Sequence, residues 1–298
     1  MLKKFFYYVN WGAKCKLGGK KIPLSSSIII TDKCNLNCKH CCVAHLGYPE
    51  LSFEEVKRQI DYLFSTGSRM LVITGGEPFL WRFNEITLDD VVKYSKKLGF
   101  FRVVICTNGT FTLESSADYL WVSMDGAEEV HNSIRGDISR RVWNNINQST
   151  HNRIYINFTI SRINQDTFIK NAKEILNNKK VKGILFHIFT PYINSDKSLL
   201  LTSKEQKIVL KQLLKFKREH PIKVSNTFDG IKNLMRNNWS RPIWSSIVIN
   251  QNVVMECCCR EGISNKEICE LCGCSPAVES YVLEKLYPLA IIENFRFL

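Results

Sequence analysis

Short runs of consecutive apolar residues, several of them β-branched, alternate along the chain with longer stretches in which apolar positions recur every three to four residues. The first kind reads as buried strands and the second as amphipathic helices packed on them. A strand over 28–30 opens the series. Ser52-Phe53-Glu54-Glu55 is then a capping box; the helix behind it sets Phe53, Val56, Ile60, Leu63 and Phe64 on one face and stops at Gly67. Strands follow over 70–74, 101–106, 119–124, 154–161 and 184–189, with helices over about 88–98, 141–150 and 167–177. Strands alternating with helices predict an α/β fold of right-handed βαβ units with a parallel sheet, six strands between Ser27 and Tyr192.

The rhythm changes after Leu201. Ser203-Lys204-Glu205-Gln206 caps a long basic helix that runs to about His220, where Pro221 stops it. Two strands over 246–250 and 253–256 flank a turn at Asn250-Gln251-Asn252, and Ser275-Pro276 starts a last helix to about 286. Four regions result: a basic aromatic segment 1–23, the α/β unit 24–200, a helical connection 201–244, and a cysteine-rich region 245–298.

Composition and charge narrow the picture. The 298 residues are 45% hydrophobic, enough for a substantial core, and hold no apolar run long enough to span a bilayer and no signal-peptide pattern. A cytoplasmic protein is expected. The net charge of +13 admits nucleic acid, anionic lipid or an acidic substrate without choosing among them. Residues 1–22 contain six lysines and no acid, interleaved with Phe5, Phe6, Tyr7, Tyr8 and Trp11. Such a segment suits a helix at a membrane surface; the preferred reading packs its aromatics on the α/β unit.

The twelve cysteines fall into two sets, Cys34, Cys38, Cys41 and Cys42 early, then Cys257, Cys258, Cys259, Cys269, Cys272 and Cys274 late; only Cys15 and Cys106 stand apart. In a reducing compartment this distribution reads as two metal centres rather than a disulfide framework. Cys34-x-x-x-Cys38-x-x-Cys41 sits directly behind the first strand. Three thiolates in one compact loop suit an iron–sulfur cluster with one iron left open, and the wider first gap fits a zinc knuckle poorly. This loop resembles the signature of the radical S-adenosylmethionine (SAM) enzymes. Gly75-Gly76-Glu77-Pro78, behind another strand, matches that family's motif for the SAM amino group.

What the resemblance implies is a partial (β/α)6 barrel whose cluster, held by Cys34, Cys38 and Cys41, cleaves SAM reductively to a 5′-deoxyadenosyl radical. It implies cofactor contacts from Gly75, Gly76, Glu77 and Pro78, with Glu77 accepting from the ammonium. Asn108, Ser123 and Asp125, at strand ends, would reach ribose and carboxylate; as residues alone, Asn108-Gly109 and Asp125-Gly126 read equally as turns. His40 would pack near the adenine. Thr159, Ser161 and Arg162 are weaker candidates, and His187 reads as a core histidine unless it faces the lumen. Asp125 to His131 with Ile134-Arg135-Gly136 resembles the subgroup with auxiliary clusters, often called SPASM or twitch.

The late set can supply a second centre through Cys257, Cys269, Cys272 and Cys274, with Cys258 and Cys259 as substitutes; a second [4Fe–4S] cluster is expected, and zinc is the rival. A one-electron reductant such as ferredoxin or flavodoxin is implied as partner. Peptide and isoprenoid-lipid substrates both fit, the second suiting peripheral membrane contact of the basic N-terminus; no peptide-binding leader domain is visible, and a small metabolite is third. The competing reading is a zinc-containing, basic nucleic-acid-binding protein without catalysis, against which Gly75-Gly76-Glu77-Pro78 stands.

Overall fold

The computed structural model describes residues 2–192, 195–257 and 266–294. In chain order the elements are α1 (Leu2–Lys16), β1 (Ser25–Ile29), α2 (Phe53–Ser65), β2 (Met70–Thr74), the two-residue strands β3 (Arg82–Phe83) and β4 (Ile86–Thr87), α3 (Leu88–Leu98), β5 (Arg102–Thr107), β6 (Tyr119–Ser123), α4 (Glu128–Arg135), α5 (Ser139–Gln148), β7 (Ile154–Ile160), α6 (Phe168–Leu176) and β8 (Val181–Ile188). Then come α7 (Ser203–Glu219), α8 (Phe228–Arg236), β9 (Ser246–Asn250), β10 (Val253–Glu256), α9 (Lys266–Glu270), α10 (Ser275–Glu284) and α11 (Pro288–Asn294). The first capping box does what the sequence implies, Ser52 accepting from Glu55 N; the second lies one residue earlier than expected, with Thr202 and not Ser203 accepting from Glu205 N, each glutamate returning to its cap. Four helices go beyond the sequence reading: α4, α8, α9 and α11.

The main sheet has eight strands in the order β10-β9-β1-β2-β5-β6-β7-β8. All pairs from β9 to β8 are parallel and only β10 runs antiparallel. The six expected strands are therefore present as a partial barrel. It is extended past β1 by a strand from the cysteine-rich region, Ser25 lying opposite Ser246.

The pleat divides side chains between two surroundings. Along β7, Ile154, Ile156, Phe158 and Ile160 are fully buried against the helices, while Tyr155, Asn157 and Thr159 point to the interior of the curve. The helix side is the main core, continuous from Ile28 and Ile73 through Phe186 to Val278. The lumen holds a smaller apolar cluster of Val104, Tyr119, Trp121 and Leu185, where Trp121 stacks on Tyr155 at 5.3 Å between ring centres.

Two segments close the ends and the open side. Helix α1 lies across the N-terminal ends of the strands: Trp11 is buried and donates to Ile22 O at 2.8 Å, Tyr7 donates to Gly67 O, and Lys4 donates to Phe101 O at 2.9 Å. Packing of Tyr7, Tyr8 and Trp11 on the body is the preferred sequence expectation. On the open side, Ile188 N donates to Gly273 O at 3.1 Å and Ser275 Oγ donates to Phe186 O, so the segment around Gly273 lies along the edge of β8. A side chain at Gly273 would collide with the Ile188 carbonyl, which is why glycine stands there. Helix α10 then crosses to the other edge, where Ser245 Oγ donates to Ser280 O at 3.3 Å. Among the described residues no helix is long and apolar enough to cross a membrane.

Candidate active site

The loops after β1 and β2 are bound together as if the sheet continued. Gly76 N donates to Thr31 O and Glu77 N to Lys33 O, both at 2.8 Å. The contact is so close that a Cβ on Gly75 or Gly76 would strike the carbonyl of Thr31 or Lys33, and Gly75 has a φ of 150°. Glycine is thus required for a steric reason before any ligand is considered. The pairing fixes the chain just before Cys34.

Cys34, Cys38 and Cys41 all line one cavity of about 360 Å³ that descends into the barrel, together with His40, Gly75, Gly76, Asn108 and Ser123. Asn108 is the best anchored of these. Its Nδ2 lies 2.9 Å from Asn35 Oδ1 and 3.8 Å from Cys34 Sγ, while its Oδ1 accepts from the Thr110 hydroxyl at 2.7 Å. Burial raises the Cys34 thiol and pushes Cys38 up to about 11, so the polypeptide alone favours thiols there and a bound metal must supply the charge that ionises them.

Three of the expected cofactor residues do not line the cavity. Glu77 is fully buried beside it, with Oε1 accepting from Thr107 Oγ1 at 2.8 Å and Oε2 from Asn108 N at 2.7 Å. Burial raises its pKa to about 7. Its carboxyl ties the end of β2 to the end of β5 and positions Asn108. Pro78 turns away into a short helical turn that includes Leu80. Asp125 is also fully buried: Arg135 Nε donates to Oδ2 at 2.6 Å and Thr159 N donates to Oδ1 at 2.8 Å. Burial alone would raise this carboxyl, but the Arg135 cation overrides it and holds the pKa at about 2.

Arg135 is the residue that sequence reasoning missed. It lines the cavity beside Cys38, and its positive charge opposes the rise that burial gives the Cys38 thiol. The available signal was helical: His131 and Arg135 are four apart on α4, and both turn towards Asp125, whose N–H lies 3.2 Å from His131 Nδ1. His40, also beside Arg135, is lowered to about 4 by burial and stays neutral. Asn132 works as a cap, its Oδ1 accepting from Ser139 N at 2.9 Å.

Lower in the barrel, Asn157, Thr159 and His187 face the cavity opposite an apolar wall of Met70, Val72 and Val248. His187 Nε2 lies 3.3 Å from Asn157 Oδ1, so the histidine belongs to the lumen and not the helix-side core. Ser161 is buried behind Asn164, and Arg162 pairs at the surface with Glu205.

The same cavity reaches Cys274 in the late cysteine set. Half-buried Cys272 and Cys274 pack against the core that contains Cys257, and half-buried Arg241 lies near Cys272, Cys269 and Cys257. The fold thus gathers Cys257, Cys269, Cys272 and Cys274 in one neighbourhood. Cys258 and Cys259 lie outside the described residues.

The donor chemistry tests what these sets can hold. Among the described residues no three His, Cys, Asp or Glu side chains gather as tightly as a single metal ion requires. Cys34, Cys38 and Cys41 form a looser, all-sulfur group within electrostatic reach of one another. A multi-iron cluster spreads its thiolates more widely than one zinc ion does, so the group fits the cluster.

Comparison with known proteins agrees. Residues 28–163 match the model of the radical SAM superfamily. The Fe-coproporphyrin III synthase of Methanosarcina barkeri is 29% identical over 227 residues, 67% of this chain and 55% of that protein. The antilisterial bacteriocin subtilosin biosynthesis protein AlbA of Bacillus subtilis is 37% identical over 130 residues, 39% of this chain and 27% of that protein. The chain thus spans about half or less of these relatives. Among solved structures, Streptococcus suis SuiB bound to its precursor peptide SuiA superposes with a TM-score of 0.65 at 13% identity, covering 93% of this chain and 68% of that one. That likeness supports the fold.

Proposed function

We propose that this chain is a radical SAM enzyme, a reading supported by the family match over residues 28–163, and that it cleaves SAM in the barrel and directs the resulting radical at a substrate held below it. When bound, the [4Fe–4S] cluster supplies one electron to SAM, releasing methionine and a 5′-deoxyadenosyl radical. The polypeptide's part is to hold and to shield. Cys34, Cys38 and Cys41 offer the three thiolates, and Asn108 stands against Cys34 with its amide already oriented by Asn35 and Thr110. Gly75 and Gly76 offer backbone to the SAM amino acid, and Ser123 is placed for its polar groups. Arg135, held by Asp125, keeps a fixed positive charge beside the cysteines. The apolar lower wall excludes water from the radical's path, and Asn157, Thr159 and His187 are placed to orient the substrate.

The observation that carries this reading is that both cysteine sets, through Cys34, Cys38, Cys41 and Cys274, line one cavity. A substrate there would lie between two centres, the second a [4Fe–4S] cluster on Cys257, Cys269, Cys272 and Cys274. The test is anaerobic reconstitution with iron, sulfide and zinc counts, followed by SAM and dithionite. About eight irons with release of 5′-deoxyadenosine supports both clusters. About four irons and one zinc keeps the enzyme and makes the late site structural, and zinc alone without turnover returns the nucleic-acid-binding alternative.

For the substrate we propose a peptide, a reading supported by the Bacillus subtilis relative, whose name assigns it to bacteriocin biosynthesis. The longer match to the Methanosarcina barkeri relative, named for the synthesis of Fe-coproporphyrin III, favours a tetrapyrrole as the second reading. Stimulation of 5′-deoxyadenosine release by one class and not by the other, with an isoprenoid lipid as third arm, separates them. Ferredoxin or flavodoxin is the proposed electron donor, an acidic carrier suiting the +13 charge. The proposed location is the cytoplasm, with the N-terminal helix at a membrane surface.

A further inference from the structure

Helix α1 is apolar on two sides. Its inner side, Tyr7, Tyr8 and Trp11, is fastened to the barrel through the Trp11 indole, the Tyr7 hydroxyl and the edge-to-face contact of Tyr7 with Phe101 at 5.2 Å. Its outer side repeats at the spacing of a helix face, Phe5, Phe6, Val9 and Ala13. Phe5 is 50% exposed, Phe6 59% and Val9 54%, and Leu17 just beyond the helix is 90% exposed. A helix that needed only to cover the barrel would carry polar residues there.

The charge around this outer side has one sign. Lys14, Lys16, Lys20 and Lys21 are all exposed, and no acidic residue occurs from residue 1 to 22. Lys4 on the inner side has Arg102, Arg153 and Lys96 about it, with Asp118 as the nearby acid, so the whole end of the barrel under α1 is mainly basic.

We propose that this face docks on an anionic phospholipid bilayer, with Phe5, Phe6, Val9 and Leu17 entering the interface and the four exposed lysines over the headgroups. Apolar side chains flanked by lysine are the combination that an anionic interface retains: the rings partition into the headgroup boundary, and the lysines respond to surface potential. Nucleic acid would draw on the lysines but gives aliphatic Val9 and Leu17 nothing to enter. A second copy of this face would bring like charges together. The proposal makes definite the membrane location proposed above, and it is independent of SAM chemistry, because the face lies at the opposite end of the strands from Cys34.

The test uses the full chain and sedimentation with vesicles of phosphatidylcholine alone or with added phosphatidylglycerol. Binding is expected to the anionic vesicles, at least about ten-fold weaker to the neutral ones, and reduced by salt. Phe5→Ser with Phe6→Ser should weaken it a further ten-fold or so while leaving the far-ultraviolet circular dichroism and melting temperature unchanged. Lys14→Gln, Lys16→Gln, Lys20→Gln and Lys21→Gln together should abolish the preference for anionic lipid. No binding to phosphatidylglycerol vesicles, or binding indifferent to both phenylalanines, overturns the proposal. So does a mass doubling in light scattering that the phenylalanine variant removes, which would assign the face to a second copy. Displacement from vesicles by RNA, with RNA binding unaffected by the serines, would assign the basic patch to nucleic acid.

Discussion

The two cysteine sets are built in opposite ways. The early one is local: Cys34, Cys38 and Cys41 follow one strand, and their loop is held by the glycine pair behind the next. Its positive partner Arg135 is buried and paired with a buried carboxylate. The late one is assembled from distant pieces: Cys257 follows the edge strand β10, while Cys272 and Cys274 lie on the edge of β8. Its positive partner Arg241 is half-buried, stacked over Trp239 at 4.2 Å and bonded to Asn237. A site made by one loop can be lost by one substitution without disturbing the fold. A site made by joining two sheet edges shares its residues with the closure of the barrel.

The largest expected effect separates the two sets by function. Cys38→Ala should bring 5′-deoxyadenosine release below detection with the melting temperature little changed, whereas Cys272→Ala should lose about half the iron and still cleave SAM. Retained cleavage in the first variant would break the comparison at its root. Next comes the buried pair. Asp125→Asn leaves the Arg135 charge without its partner and should cost about 3–5 kcal/mol in urea unfolding. A loss under about 1 kcal/mol would show that the pair is not a fixed part of the early site.

A pH effect belongs to the late side. Glu279 of α10 accepts from Thr227 N at 2.9 Å, and burial raises its carboxyl from 4.5 to about 7. In that interval the folded chain holds a proton that the unfolded chain has released, so stability falls as pH rises from about 4.5 to 7, by up to about 3 kcal/mol. His40 and His131, lowered to about 4 by burial, act oppositely as pH falls below 6.5. The measurement is therefore a difference: Glu279→Gln should gain on the wild type between pH 5 and pH 8, and parallel melting curves would refute it. The smallest effect is that of Arg241→Gln, under about 1 kcal/mol, because its charge is half in solvent. A cost matching that of Asp125→Asn would erase the contrast between the sets.

Much of the early site was legible because its requirements are contiguous. Strand, cysteine spacing and glycine pair are each a few residues long, and each states its own reason. The alternation of elements likewise predicts the barrel strands. What escaped depends on partners far away in sequence. Glu77 is legible as part of a motif, but only the fold shows Thr107 and Asn108 donating to its two oxygens. The same holds for Asp125, since nothing around it announces Arg135 and Thr159 as its partners. His187 carries the reverse lesson: its apolar neighbours are read as core, yet alternation along β8 turns it inward to Asn157. The strand β9 is visible as a strand, but not as the neighbour of β1, because pairing is a property of two segments.

That last pairing also dictates an order of events. Strand β1 carries the cysteine loop at its end, and one of its edges pairs with residues 246–250. During synthesis the ribosome must deliver more than two hundred further residues before that edge is covered. Until then the nascent chain presents thiols beside an unfinished strand, a state open to misplaced pairing and premature oxidation. The topology thus defers completion of the pocket's scaffold until residues 246–250 have been made, an order set by the path of the chain.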